Sequence, residues 1–321
     1  MLRFLAVLVV LAAIVGGAWF WEQQNWQAAG PSPAYEVVMV KPGDHTATIA
    51  QNLQKAGVIA NADLFRIGLR IRNKQSALKA GEYGFPAHAS MEDVVDILVA
   101  GKSIEYKLTA AEGLTSQMIY DIVKADPVLV GDAGPVPEEG TLLPETYLFT
   151  RGETRARMLD TMRAAQKKFL DAQWPARIGN LPFSTRAQAL ILASIVEKET
   201  GIAEERRHIA AVFENRLRLG MKLQSDPTII YGITKGYPIG RRIRQSEIDA
   251  QTPYNTYAIP GLPVGPICNP GKDSIVAVLN PAGSDDLYFV ASGTGGHVFA
   301  ATMAEHEKNV ANWRKIHATQ H

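Results

Sequence analysis

A carboxylate at the end of an apolar helix face is the strongest chemical signal in this chain. In LILASIVEKET (190–200), Leu190, Ala193, Ser194 and Glu197 share one side of a 3.6-residue helix, because offsets of three, four and seven residues nearly superimpose. A carboxyl group held against Ala193 and Leu190 loses hydration. That loss disfavours its charged form and raises its pKa, the condition for a general acid working near neutral pH. A Glu that caps or snorkels fits the same pattern, and spacing alone leaves Glu199 in contention with Glu197.

Other candidates have side chains suited to sugars. Gln224 carries an amide able to bond hydroxyl or acetamido groups, and Asp226 precedes Pro227, which biases it towards an extended loop conformation that could point into a cleft, or towards an Asx turn. Tyr254, Asn255 and Tyr257 offer rings for sugar faces and polar tips for hydrogen bonds, although loop aromatics also serve as packed lids. His297 leaves the SGTGG turn and is either a substrate ligand or a structural turn residue. Metal and cofactor chemistry find no support: the seven histidines are scattered without an H-E-x-x-H motif, and SGTGGH lacks dinucleotide-loop spacing. Cys268 is the only cysteine, so an intrachain disulfide, a CxxC pair and a cysteine zinc cluster are all excluded.

These residues need a scaffold. From Tyr106 onward, helices are expected at 115–125, 154–172, 185–200, 203–219, 272–279 and 302–316, with strands at 106–109, 228–231, 287–291 and 297–300. The last two strands join through SGTGG as a hairpin. Without a regular βαβ rhythm the fold class is α+β. Ahead of it, residues 35–105 form a smaller module with strands at 35–40 and 81–85. Its helices include one stopped by Gly57, one starting near Asn61, and one opened by a Ser90/Asp93 capping box and ended by Gly101. Residues 22–34, EQQNWQAAGPSPA, have the composition of a linker.

With 321 residues and 46% hydrophobic content the chain can fold as two domains, and its net charge of +1 with no basic stripe argues against nucleic acid as a partner. No charged residue occurs from Phe4 to Trp21, a run just long enough to cross a bilayer as a helix. Arg3 precedes it and Trp19, Trp21 and Trp26 gather at its far end, which predicts a cytoplasmic N-terminus and a body on the other side. A cleaved signal peptide is the competing reading, without a clean A-x-A site.

Five segments then give a resemblance. EGTLLPETYLF (139–149), LILASIVEKET, VFENRLRLG with MKLQSDPTIIYG (212–232), TPYNTYAIPGLPVGPICNPG (252–271) and DLYFVASGTGGHVF (286–299) are similar, in order and spacing, to the YceG-like endolytic murein transglycosylases, the MltG family. The resemblance runs from about Tyr35 to the C-terminus. It implies an inner-membrane anchor (1–21), a LysM-like module (35–105) and a periplasmic YceG-like catalytic domain (106–321). It also implies that the first Glu of the EKET segment, here Glu197, is catalytic, with Glu145 of LLPETY as an auxiliary carboxylate. The implied reaction cuts nascent glycan strands internally: one Glu acts as acid and then base, and the 6-hydroxyl of N-acetylmuramic acid closes a 1,6-anhydro end. No cofactor is implied, and the partners are glycan strands, the inner membrane, peptidoglycan polymerases and other cell-wall synthesis proteins. A non-catalytic murein-binding or cell-division scaffold is the alternative. A lyase acting on aminodeoxychorismate would require a pyridoxal phosphate lysine and an anion pocket, and no such constellation stands out.

Overall fold

The computed structural model describes residues 2–319. The chain divides into two compact units: the first runs to Tyr106 and takes in Leu148–Gly152, and the second holds Lys107–Tyr147 and continues from Glu153.

The first unit begins with α1 (Leu2–Gln27), whose apolar side chains from Phe4 to Trp21 are exposed. It is long and apolar enough to cross a membrane. Its last turns differ, because Trp26 is only 1% exposed and stacks on Phe65 at 5.9 Å. Then follow β1 (Glu36–Val40), α2 (Thr46–Lys55), α3 (Ala62–Ile71), β2 (Gly81–Phe85) and α4 (Met91–Ala100). β1 and β2 pair antiparallel, and Leu53, Phe65, Leu69, Tyr83, Val94 and Leu98 fill the core. Local chemistry sets the ends: the Asn61 side chain accepts from the Leu64 N–H, Ser90 and Asp93 form a reciprocal capping box, and Gly101 ends α4 at φ 70, a left-handed conformation open to Gly.

Residues 22–34 are not the linker expected from composition. Glu22 pairs with Arg72 at 2.6 Å, the Arg72 guanidinium lies 3.9 Å from the Trp26 ring centroid, and a Cβ on Gly68 would meet that ring at 2.2 Å. Beyond the helix, the Gly30 N–H donates to the His88 carbonyl and the His88 N–H to that of Ser32. Polar composition concealed one large aromatic anchor and a run of small residues that let the backbone approach closely.

After β3 (Glu105–Thr109) come α5 (Ser116–Ala125) and β4 (Thr146–Thr150), most of which belongs to the first unit; the second unit continues with α6 (Arg155–Gln173), α7 (Arg186–Glu199), α8 (Arg206–Arg218), α9 (Asp226–Thr234), α10 (Gln245–Ile248) and α11 (Lys272–Leu279), then a hairpin of β5 (Tyr288–Ala291) and β6 (His297–Ala300), and α12 (Met303–Thr319). β3 pairs with β4, and β5 with β6. The fold mixes helices with two-stranded sheets. Its main core lies among α7, α8 and α11, where Leu192, Ile195, Val196, Ile209, Phe213 and Val278 are fully buried.

The strand expected at 228–231 is instead the middle of α9. Pro227 sits in its first turn, where a missing N–H removes no hydrogen bond, and Thr228, Ile229 and Tyr231 are buried by packing that overrides their β propensity. Asp226 is therefore helical and not extended. The strand β4 was not anticipated.

Candidate active site

α7 is opened by a capping box in which Thr185 and Gln188 satisfy each other's backbone N–H groups. The face bearing Ala193, Ser194 and Glu197 docks the segment that leads into α11. Ser194 Oγ accepts from the Ile267 N–H at 3.0 Å, and Glu197 Oε2 accepts from the Gly271 N–H at 2.9 Å and from Ser274 Oγ at 2.7 Å. Glu197 thereby satisfies donors at the first turn of α11, which has no cap from its own Gly271. Glu197, expected to face substrate, has its Oε2 turned to α11, and the apolar stripe it ends docks against the segment leading into that helix. Glu145 is exposed and ion-paired with Lys272 at 2.8 Å, beside this cap.

Two residues further on, about 200° round the helix, Glu199 faces a cleft of ≈ 320 Å³. Arg216, Leu223, Gln224, Asp226, Tyr257, Phe289 and His306 complete its lining. Glu199 is half-buried, and desolvation of its carboxyl pushes its pKa up. The hydrogen bond from Ser225 Oγ to Oε1, 2.5 Å, pulls the other way, as do the charges of His297 and Arg216, while Asp226 adds to the rise. Arg216 is buried without a carboxylate ion-pair partner among the described residues; its Nε donates to the Leu287 carbonyl at 2.6 Å and its Nη1 to that of Leu223 at 2.8 Å.

Buried threonines hold the segment that carries Gln224, Ser225 and Asp226. Ser225 N–H donates to Thr256 Oγ1 at 2.9 Å, Gln224 N–H donates to the Thr256 carbonyl, and the Thr228 and Thr256 hydroxyls meet at 2.9 Å. Gln224 itself has φ 56 and is exposed at the cleft. Tyr257 Oη donates to Asp226 Oδ1 at 2.7 Å, and burial first, then this bond, raises the phenol's pKa. Asn255 departs from its expected role. It is 1% exposed, and its Nδ2 donates to the carbonyls of Glu247, Ile248 and Ala250, so it fixes the loop that carries Tyr257. Tyr254 packs on Tyr231 at 4.8 Å and is absent from the cleft lining.

The β5–β6 hairpin supplies another wall. Phe289 lines the cleft and meets His297 edge-on at 5.3 Å. His297 is turned to Glu205: its backbone N–H donates to Oε1 at 2.7 Å, and its Nδ1 lies 2.8 Å from Oε2. Burial alone would raise the Glu205 carboxyl, yet the His297 contacts hold it below the usual value. This approach requires Gly296, at φ 81, since a Cβ there would sit 2.5 Å from Glu205 Oε1. The residues that motif reading missed are Arg216, Ser225, Phe289 and His306. His306 stacks on Tyr288 at 5.1 Å, its Nδ1 is buried with no partner among the described residues, and burial together with nearby Arg216 depresses its pKa.

The cleft thus joins one desolvated carboxyl to hydrogen-bonding groups and two aromatic walls, a set suited to protonating a leaving oxygen on a polar, ring-shaped substrate. Among the described residues no group of His, Cys, Asp and Glu is arranged to hold a metal ion.

Comparison with known proteins bears on the whole chain. The profile of the YceG-like family matches residues 38–312. The endolytic murein transglycosylase of Streptococcus pneumoniae (strain D39) is 31% identical over 360 residues, covering 96% of this chain and 64% of that protein. The chain therefore spans less than two thirds of the length of that relative. The endolytic murein transglycosylase of Bacillus subtilis (strain 168) is 27% identical over 327 residues, covering 92% of this chain and 89% of its own. A crystal structure of a yceG-like protein from Listeria monocytogenes superposes with TM-score 0.52 at 29% identity, covering 86% of this chain and 99% of that one.

Proposed function

The chain belongs to the YceG-like family, and we propose that it is an endolytic murein transglycosylase in which Glu199 is the single catalytic acid and base. The observation that carries this reading is the placement of Glu199 on the cleft, desolvated and held by Ser225, while its neighbour Glu197 is committed to capping α11.

In the proposed reaction, protonated Glu199 gives its proton to the oxygen joining C1 of N-acetylmuramic acid to N-acetylglucosamine. The C1–O bond breaks through an oxocarbenium-like transition state. The carboxylate left behind takes the proton of the muramyl 6-hydroxyl as O6 bonds to C1, giving a 1,6-anhydro end and restoring the acid. No water is consumed. The internal nucleophile gains from proximity, for which effective molarities reach about 10⁵ M or more. Ser225 fixes Oε1 and leaves Oε2 for substrate; Arg216 stabilises the carboxylate between the two proton transfers; Gln224 and the Asp226–Tyr257 pair bond sugar substituents.

α1 anchors the protein in the inner membrane with both units outside the cytoplasm, and its apolar length and exposed side chains support that reading. The first unit, two antiparallel strands flanking two helices, is a LysM-like module. Mass spectrometry of products from purified murein tests the reaction. Anhydro-muropeptides from the interior of long strands are expected, and new ends carrying oxygen from isotopically labelled water would overturn the transglycosylase reading.

A further inference from the structure

We infer that the C-terminal end of α3 and the loop after it form a basic seat for anionic phospholipid headgroups, pressing the first unit onto the bilayer surface from which α1 emerges. The inference rests on reading α1 as a membrane span and goes beyond it. At 1.5 Å per residue, the 26 residues of α1 reach about 39 Å, against about 30 Å of hydrocarbon. The last turns of α1 therefore stand outside the hydrocarbon, and those turns are the ones built into the first unit.

The docking fixes the direction of α3. Trp26 stacks on Phe65, whereas Arg72, just past the end of α3, bonds Glu22 and Gln23. Later α3 residues thus meet earlier α1 residues, so α3 points its C-terminal end back along α1 towards Trp21 and the apolar run. Its buried face is Phe65, Gly68 and Leu69, which leaves Arg66, Ile67, Arg70 and Ile71 exposed, with Lys74 exposed in the loop. Arg66 is paired with Asp63, and Glu22 is taken by Arg72. Arg70 and Lys74 have no carboxylate partner among the described residues. Two unneutralised cations beside Ile71, 54% exposed, at the level where the apolar surface of α1 ends, match a layer of phosphate headgroups over hydrocarbon. A partner protein would have to share that level with the lipid.

The test uses the full chain in nanodiscs of phosphatidylcholine alone or mixed with phosphatidylglycerol. An environment-sensitive fluorophore is placed by Ile71→Cys, Cys268 being buried, and lipid-borne quenchers report its depth. A second preparation labels Val10→Cys as a monitor of the span. Strong quenching at both positions is expected, with that at residue 71 dependent on phosphatidylglycerol. Arg70→Glu combined with Lys74→Glu should lower the ratio of seated to unseated protein about tenfold or more. Quenching at residue 10 without quenching at residue 71 overturns the seat and keeps the span. Quenching at residue 71 that ignores lipid charge or the double substitution overturns headgroup recognition. An unquenched residue 10 overturns the span and the seat together.

Discussion

Opposite sides of the last turn of α7 carry the same functional group to different ends. On one side, Glu197 receives a backbone N–H and a hydroxyl from α11 and becomes part of the packing between helices. On the other, Glu199 loses water without gaining comparable donors, and its pKa rises. A carboxyl that satisfies a helix terminus stabilises the fold, whereas one kept desolvated at a cleft is destabilising when ionised and useful for that reason.

The largest expected effect separates the two by activity. Glu199→Gln should lower murein cleavage by about 10²–10⁴-fold, the range for loss of a general acid, while Glu197→Gln stays within about tenfold of the native rate. Product quantification on purified murein decides, and the reverse ranking would return the catalytic role to Glu197.

Stability should separate them with opposite sign. Glu197→Ala removes the acceptor for two donors at α11 and should cost about 1–3 kcal/mol in chemical denaturation. Glu199→Gln should cost nothing above neutral pH and raise Tm there. The sign follows from linkage: a carboxyl whose folded pKa is raised favours folding fully below its unfolded value, and that contribution is lost as pH rises through the folded value. With Glu199 as the proposed acid, kcat/KM should fall as pH climbs through its raised pKa.

A smaller effect tests whether the cleft extends to α12. His306→Phe keeps a ring against Tyr288 but removes both ring nitrogens; KM for glycan strands should rise by about three- to tenfold, with kcat changed less. Steady-state kinetics that show kcat alone falling would exclude a substrate-binding role for His306.

The smallest effect on activity is expected at a control away from the cleft. Glu214, buried in α8 beside Arg218 at 3.0 Å, has its carboxyl pushed up to about 8 by burial. Thermal stability should decline between about pH 5 and 8 as this group ionises, and Glu214→Gln should flatten that slope without altering the pH profile of activity. An unchanged slope in the variant would remove Glu214 from the account.

What the sequence disclosed was local. Helix limits at Asn61, Ser90, Gly101 and Thr185 could be read because caps join residues within one turn, and SGTGG marked its hairpin for the same reason. The 228–231 error came from weighing β-branched residues above a Pro already placed in a first helical turn. Of the proposed site, Gln224, Asp226 and Tyr257 were recognisable by type and do meet at the cleft. Choosing between Glu197 and Glu199 required knowing which side of α7 receives α11, and that depends on residues more than seventy positions away. Arg216 and His306 gave no signal for a similar reason: each looks like an ordinary helix residue until the hairpin and α12 fold against it.

The contribution of His306 also bears on timing. Under the proposed export, a chain delivered N-terminal end first would present Glu199, Gln224, Asp226 and Tyr257 well before α12 had emerged, with the wall they face still open at that stage. Any copy cut short ahead of residue 306 lacks part of that wall. On the proposed function, competence to cut the wall polymer would then arrive with the final helix, and the envelope would be protected from half-delivered enzyme.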